Sequence, residues 1–160
     1  RFGNPVGHSL SPLMINAAFG AMGIRAGYEA RRVEDLEPAV RMIREKPLDG
    51  VSVTLPHKGA VMAFLDEVNP QYLVSFHQPL RGVGVADNKP PGFQRALARG
   101  LKLRLRSFNC TGVCHGTMTT WFNRNHAGVA ITVEYGRRLS RRQATRTGPN
   151  GVLRALSAWR

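Results

Sequence analysis

The sequence predicts an α/β fold with an open, mostly parallel sheet flanked by helices. Short β-branched segments alternate with helix-length segments over positions 1–70, which is typical of parallel strands joined by helices. Apolar residues make up 42% and charged residues 21% of the chain, as in globular proteins. Its 160 residues suffice for one ordinary domain but not for two complete ones.

Local signals assign the elements of positions 1–70 in order. Ser11 before Pro12 predicts a helix start, with Ser11 as its cap. Glu34 and Asp35 place negative charge at the start of a second helix, where the helix dipole favours it. The predicted elements are helices over residues 11–23, 34–45 and 60–68 and strands over residues 28–33 and 50–54.

Periodicity weakens after residue 70. Residues 71–91 carry Gly and Pro without a sustained period and are predicted as loop. A short helix is expected over residues 93–98 and a strand over residues 129–133. An amphipathic helical turn is expected around residues 152–156.

The charge is distributed unevenly. Positions 1–70 hold eight basic and eight acidic side chains, so the net charge of +13 lies entirely in residues 71–160. Such a basic segment is typical of polyanion-binding tails. A stretch whose coding has drifted is the other interpretation.

Two loops carry residue types suited to ligand binding. Residues 2–12 read FGNPVGHSLSP and lead into the first helix, while residues 51–58 read VSVTLPHK and end a strand. Ligands of open α/β sheets bind beyond the carboxyl ends of the strands. Both loops are expected at that edge, where they would offer hydroxyl groups and backbone donors to a small polar or anionic ligand.

These two segments resemble the substrate-binding domain of shikimate dehydrogenases. That family carries motifs close to FGNPxxHSxSPxxHNxAF and GxxVTxPHK, and this chain has both in the same order and at the expected separation over residues 2–70. The resemblance implies NADPH-dependent reduction of 3-dehydroshikimate to shikimate, an oxidoreductase step of the shikimate pathway that leads to chorismate and the aromatic amino acids.

The resemblance also implies roles for individual residues. Ser9 and Ser11 match the pair that binds the substrate carboxylate, and Thr54 matches a contact to a substrate hydroxyl. Lys58 matches the catalytic lysine. A carbonyl that receives hydride develops negative charge on its oxygen, and an ammonium group nearby stabilises that charge and supplies a proton.

Downstream of residue 70 the chain departs from the family pattern. The segment that should carry the catalytic aspartate reads DNKPPGF, so Lys89 falls at the matched position and Asp87 lies two positions early; Asp87 is the candidate substitute. The turn expected to hold the NADP phosphates falls on residues 112–116, where only Gly112 matches. Arg137 is the candidate contact to the adenosine 2′-phosphate. The predicted organisation is a substrate-binding domain over residues 1–90, then a truncated, Rossmann-like NADP-binding segment over residues 91–160.

The remaining sequence features bear on the cellular compartment and on the binding partners of the protein. Cys110 and Cys114 form no disulfide framework, and with His115 they lack a fourth metal ligand, so no metal site is expected. The sequence contains neither a membrane-length apolar run nor a signal-peptide pattern, so a cytoplasmic location without membrane association is expected. The expected partner is a small-molecule substrate, and a homodimer is left open.

Three functions stay open from the sequence. The first is a shikimate dehydrogenase-like enzyme whose catalysis is impaired by the altered second half. The second is a shikimate-type ligand-binding fragment without turnover. The third is nucleic-acid binding by the basic segment, which is disfavoured because no nucleic-acid-binding motif is present and aromatic residues are sparse among the arginines.

Overall fold

The computed structural model describes residues 1–46, 48–108, 117–143 and 147–157. The chain divides into two compact units, Arg1–Asn69 and Pro70–Arg160, called here the N-terminal and C-terminal units. The strands are β1 (Phe2–Gly3), β2 (Arg31–Arg32), β3 (Tyr72–His77), β4 (Arg81–Gly84), β5 (Leu105–Arg106) and β6 (Val129–Tyr135). The helices are α1 (Ser11–Ala21), α2 (Leu36–Glu45), α3 (Leu65–Val68), α4 (Gly92–Leu101), α5 (Met118–Asn125) and α6 (Gly148–Ser157), and a 3-10 helix over Ala60–Phe64 precedes α3.

Parallel pairing builds the sheet of the N-terminal unit. Strand β1 pairs with β2 in parallel, with Phe2 opposite Arg31. Val53 forms a single parallel bridge to Phe2 from the other side. Residues 50–54, predicted as a strand, therefore contribute one bridge rather than a full strand.

Helix α2 covers the core of the N-terminal unit. Its cap is Asp35, whose side chain accepts a hydrogen bond from the Glu37 amide at 3.1 Å, a contact that typically contributes about 1 kcal/mol. The helix buries Leu36, Ala39 and Val40 against Phe2 and Val33. Burial of this apolar face fixes the position of β1, from which the FGNP loop departs.

The C-terminal unit contains a four-stranded mixed sheet in the order β3-β6-β4-β5. Strand β6 lies between β3, its parallel partner, and β4, its antiparallel partner, while β4 and β5 pair in parallel. Helices α4 and α6 pack closely, since a Cβ atom added at Gly100 would lie 2.3 Å from the Gly151 carbonyl oxygen. The core contains Phe93 and Leu97 of α4 and Ile131 and Val133 of β6, all essentially buried.

The predicted fold class is confirmed, because the chain is α/β with parallel strand pairs flanked by helices. The predicted loop over residues 71–91 is wrong, since β3 and β4 lie there. Both strands are held by β6, which follows only after α4, β5 and α5, so local periodicity could not indicate them. The chain divides into its two compact units between Asn69 and Pro70, and the substrate-binding segment over residues 1–90 and the NADP-binding segment over residues 91–160 stay a prediction.

Two further observations bear on the function classes. No helix among the described residues is long and apolar enough to cross a membrane. Within the same ranges, no three His, Cys, Asp or Glu side chains are grouped to hold a metal ion. The predicted phosphate turn with Gly112, and the cysteines Cys110 and Cys114, lie outside the described residues.

Candidate functional site

Three hydroxyl groups of the N-terminal unit converge on one side chain. The Arg1 guanidinium donates hydrogen bonds to Ser9 Oγ at 2.7 Å, to Ser11 Oγ at 3.0 Å and to Thr54 Oγ1 at 3.0 Å. Ser9, Ser11 and Thr54, called here the hydroxyl cluster, are half-buried. The two sequence motifs therefore meet in space, although Thr54 lies far from the two serines along the chain.

The serines are held where the chain enters α1. The helix begins at Ser11, but its N-cap is Leu10 and no side chain caps it there. Ser9 Oγ instead accepts a hydrogen bond from the Ser11 amide at 3.2 Å. The prediction that Ser11 caps the helix is thus wrong, and its hydroxyl is directed to the cluster instead.

Backbone pairing places Thr54 beside the serines. The Thr54 amide donates to the Phe2 carbonyl oxygen at 3.0 Å, and the Asn4 amide donates to the Leu55 carbonyl oxygen at 3.1 Å. Gly3 permits this approach, because a Cβ atom there would lie 2.3 Å from Thr54 Cγ2. The glycine of the FGNP motif is therefore required by the packing next to the site.

The turn after Thr54 carries the predicted catalytic lysine. His57 is buried, and its Nε2 donates to the Val33 carbonyl oxygen at 2.7 Å. This hydrogen bond holds the turn against Val33, the residue that follows β2. Lys58 follows and is exposed. Among the described residues its ammonium group has no hydrogen bond or ion pair, so its role as the proton-donating group stays a prediction.

The predicted site residues of the C-terminal unit lie in two connections. Asp87 is exposed in the loop between β4 and α4. Lys89, which occupies the position matched to the family's aspartate, donates from Nζ to the carbonyl oxygens of His126 and Ala127. Arg137 is exposed and follows Gly136, which has a φ of 88°. Each of these roles stays a prediction.

Two ionisable groups in β6 have unusual surroundings. Burial raises the pKa of Tyr135 to about 12. Glu134 is 9% exposed, and its Oε2 has no hydrogen-bond partner among the described residues. The register places Glu134 between His77 of β3 and Gly82 of β4.

Sequence reasoning missed Arg1. A single basic residue ahead of a buried phenylalanine gives no local sign that it contacts residues up to 53 positions away. The available signal was indirect: two loops rich in hydroxyl groups were expected at the same sheet edge, and a cation at the start of that strand lies within reach of both.

Comparisons with known proteins agree with the two motifs. Residues 2–72 match the family model described as the shikimate dehydrogenase substrate binding domain. The chain is 51% identical over 70 residues to the shikimate dehydrogenase (NADP(+)) of Bacillus cytotoxicus, covering 42% of this chain and 25% of that protein. The corresponding enzyme of Symbiobacterium thermophilum is 56% identical over 70 residues, covering 42% of this chain and 24% of that protein. The enzyme of Geobacillus sp. is 54% identical over 71 residues, covering 43% and 26%.

These matches cover less than half of this chain and about a quarter of each relative. The chain spans about a quarter of the length of the curated relatives it matches. A solved structure, murein-tripeptide amidase MpaA from Escherichia coli O157, aligns with a TM-score of 0.45 and 20% identity, covering 64% of this chain and 39% of that one. This similarity is too low to support an inference. The resemblance to the shikimate dehydrogenase substrate-binding domain is confirmed over residues 2–72.

Proposed function

We propose that the N-terminal unit binds a shikimate-type ligand, a cyclic acid with several hydroxyl groups, through its carboxylate. The observation that carries this proposal is the convergence of Ser9, Ser11 and Thr54 within 3.0 Å of one guanidinium. Hydroxyl groups bind a carboxylate as donors and an alcohol as donors or acceptors. The cluster therefore suits both functional groups of such a ligand.

The reaction proposed for the intact site is the reduction of 3-dehydroshikimate with NADPH. Ser9 and Ser11 hold the carboxylate, Thr54 contacts a ring hydroxyl, and Lys58 donates a proton to the carbonyl oxygen as hydride arrives. When bound, NADPH would supply the hydride, and Gly112 and Arg137 are the residues that would hold it.

We propose further that turnover in this chain is impaired. The partner of Lys58 in the family is an aspartate, and the matched residue here is Lys89, whose ammonium group is bonded to two backbone carbonyls. A second cation does not replace a carboxylate in a proton transfer. Asp87 is the remaining acidic candidate in that loop.

Binding is tested first, by titrating the chain with shikimate and following heat release. Loss of one hydrogen bond to a charged group costs roughly tenfold in affinity, so Ser9→Ala and Ser11→Ala should each weaken binding by about that factor. Ser52→Ala is the matched control, because Ser52 is exposed and its side chain lies outside the cluster. If Ser9→Ala and Ser11→Ala bind shikimate as tightly as Ser52→Ala and the wild type do, the proposed carboxylate site is contradicted.

Catalysis is tested separately, with 3-dehydroshikimate and NADPH. Lys89→Asp places a carboxylate at the position matched to the family's aspartate. A gain in turnover supports an impaired reductase, whereas unchanged background turnover with intact shikimate binding supports a ligand-binding unit without catalysis.

A further inference from the structure

Among the described residues, the positive charge of the Arg1 side chain lies within the hydroxyl cluster without a counter-ion. Four other arginines of the N-terminal unit are paired with glutamates: Arg31, Arg32, Arg41 and Arg44. The Arg1 side chain, by contrast, forms no ion pair with a carboxylate in the part of the chain that the structure describes. Its hydrogen bonds there all go to neutral hydroxyl oxygens. A half-buried cation surrounded by neutral dipoles favours an anion beside it.

The hydrogen bonds around Ser9 determine what kind of group can approach. A serine hydroxyl has one hydrogen to donate and two lone pairs to accept with. Ser9 Oγ accepts from the Arg1 guanidinium at 2.7 Å and from the Ser11 amide at 3.2 Å, so both lone pairs are used. Only its hydrogen remains, and Ser9 can therefore serve a ligand only as a donor.

The guanidinium retains donors as well. It has five N–H groups, of which three are directed to the cluster. The other two N–H groups, one on Nε and one on Nη2, have no acceptor among the described residues. This set of donors around a positive charge matches a group that only accepts hydrogen bonds and carries negative charge. Carboxylates are bound by guanidinium groups in this way.

We propose that Arg1 is a carboxylate-binding residue, which makes the site select an acid over its neutral ester or amide. This inference rests on the proposed ligand class and goes beyond it, since hydroxyl groups alone would hold a carboxylate and an ester carbonyl with little discrimination. Arg1 supplies the charge and, by donating to the three hydroxyl oxygens, turns their hydrogens outward toward the ligand.

The test compares an acid with its uncharged analogue. Shikimate and shikimate methyl ester are titrated into the wild type and into Arg1→Gln and Arg1→Lys. Arg25→Gln is the matched control, because it removes the same charge from an exposed site of the same unit. We expect Arg1→Gln to lose roughly tenfold in affinity for shikimate and little for the ester. Arg1→Lys should recover part of the loss, since it keeps the charge but not the planar set of donors.

Added salt provides a second readout. Chloride competes for a half-exposed cation, so raising NaCl from about 0.02 M to about 0.5 M should weaken shikimate binding by the wild type more than by Arg1→Gln. Circular dichroism spectra of the variants establish that each is folded.

The outcomes separate the inference from the proposed function. Equal shikimate affinity in the wild type and Arg1→Gln, or tighter binding by Arg1→Gln, overturns the role of Arg1 while the ligand class stands. If shikimate fails to bind, cyclohex-1-ene-1-carboxylate is titrated in its place. Binding of this acid that depends on Arg1 keeps the inference and rejects the shikimate-type ligand, whereas no binding of either acid rejects both.

Discussion

Replacing Gly3 by alanine tests whether the approach of β1 to Thr54 holds the site together. The added Cβ atom would lie 2.3 Å from Thr54 Cγ2, 3.0 Å from Val6 Cγ1 and 3.1 Å from the Leu55 carbonyl oxygen. Carbon atoms in contact are normally about 3.5–4.0 Å apart. Because Val6 and Leu55 confine the methyl group on its other sides, Thr54 must move by about 1 Å or rotate to restore that separation.

Either response damages both stability and binding. Overpacking of this kind typically costs about 1–3 kcal/mol. Rotation of Thr54 relieves the clash but carries Oγ1 away from the Arg1 guanidinium, to which it is bonded at 3.0 Å. We expect Gly3→Ala to lower the free energy of unfolding by about 2 kcal/mol and to weaken shikimate binding by roughly tenfold.

Gly7→Ala is the matched control for this experiment. Gly7 lies in the same loop, and a Cβ atom there would have no neighbour within 4 Å. Both substitutions restrict the unfolded chain to the same extent, which alone stabilises a protein by about 0.4–1 kcal/mol, so their difference isolates the clash. Urea unfolding and shikimate titration of both variants measure it. A Gly3→Ala protein as stable as Gly7→Ala, with unchanged affinity, would refute the packing argument.

Three further predictions concern single side chains. Lys58→Ala should lower any 3-dehydroshikimate reductase turnover by about 10²–10⁴-fold with a smaller change in shikimate affinity, and Lys58→Arg should restore little; steady-state kinetics with unchanged turnover would remove Lys58 from the mechanism. Burial raises the pKa of Tyr135 to about 12, so this tyrosine ionises in the unfolded chain before it ionises in the folded protein as the pH rises. The free energy of unfolding should therefore fall between about pH 10 and pH 12, by about 1–2 kcal/mol for this half-buried ring. Urea unfolding of Tyr135→Phe should lack that part of the decline, and an identical decline in both proteins would contradict it. Glu134→Gln should raise the free energy of unfolding by about 1 kcal/mol, because a neutral amide costs less to bury than a carboxylate whose Oε2 has no hydrogen-bond partner among the described residues. Lower stability on thermal unfolding would count against this.

Local sequence signals accounted for the helices better than for the strands. Helix α2 was predicted from acidic residues at its start and from the spacing of Leu36, Val40 and Ile43, and it forms with Asp35 as its cap. These signals lie within a few positions of one another, so they can be recognised without knowledge of the fold. Strands β3 and β4 depend on pairing with β6, and such pairing leaves no periodic signal in short segments that contain Gly and Pro.

The candidate site shows the same division. The motifs placed Ser9, Ser11 and Thr54 in loops expected at one sheet edge, and the structure joins them through Arg1. The identity of the joining residue could not be predicted, because it depends on how β1 packs between β2 and the bridge at Val53. Side-chain contacts across 8 to 53 positions are set by tertiary packing rather than by neighbouring residues.

The central position of β6 has a consequence for how the chain folds as the ribosome makes it. The strand pairing and the bridge described for the N-terminal unit lie within Arg1–Asn69, so they need no strand that is made later. Strand β3, however, pairs with a strand made only after α4, β5 and α5, and it does not pair with β4 directly.

Before β6 emerges, β3 has no strand partner among the described residues, and β4 can pair only with β5. Strands β3 and β4 therefore both present unpaired backbone edges during this interval. Such edges pair readily with other chains and attract chaperones. Slower translation of residues 85–128 would prolong this exposure. Nascent chains stalled within residues 85–128 should therefore aggregate through residues 72–84, whereas the pairing of β1 with β2 needs no strand from that region.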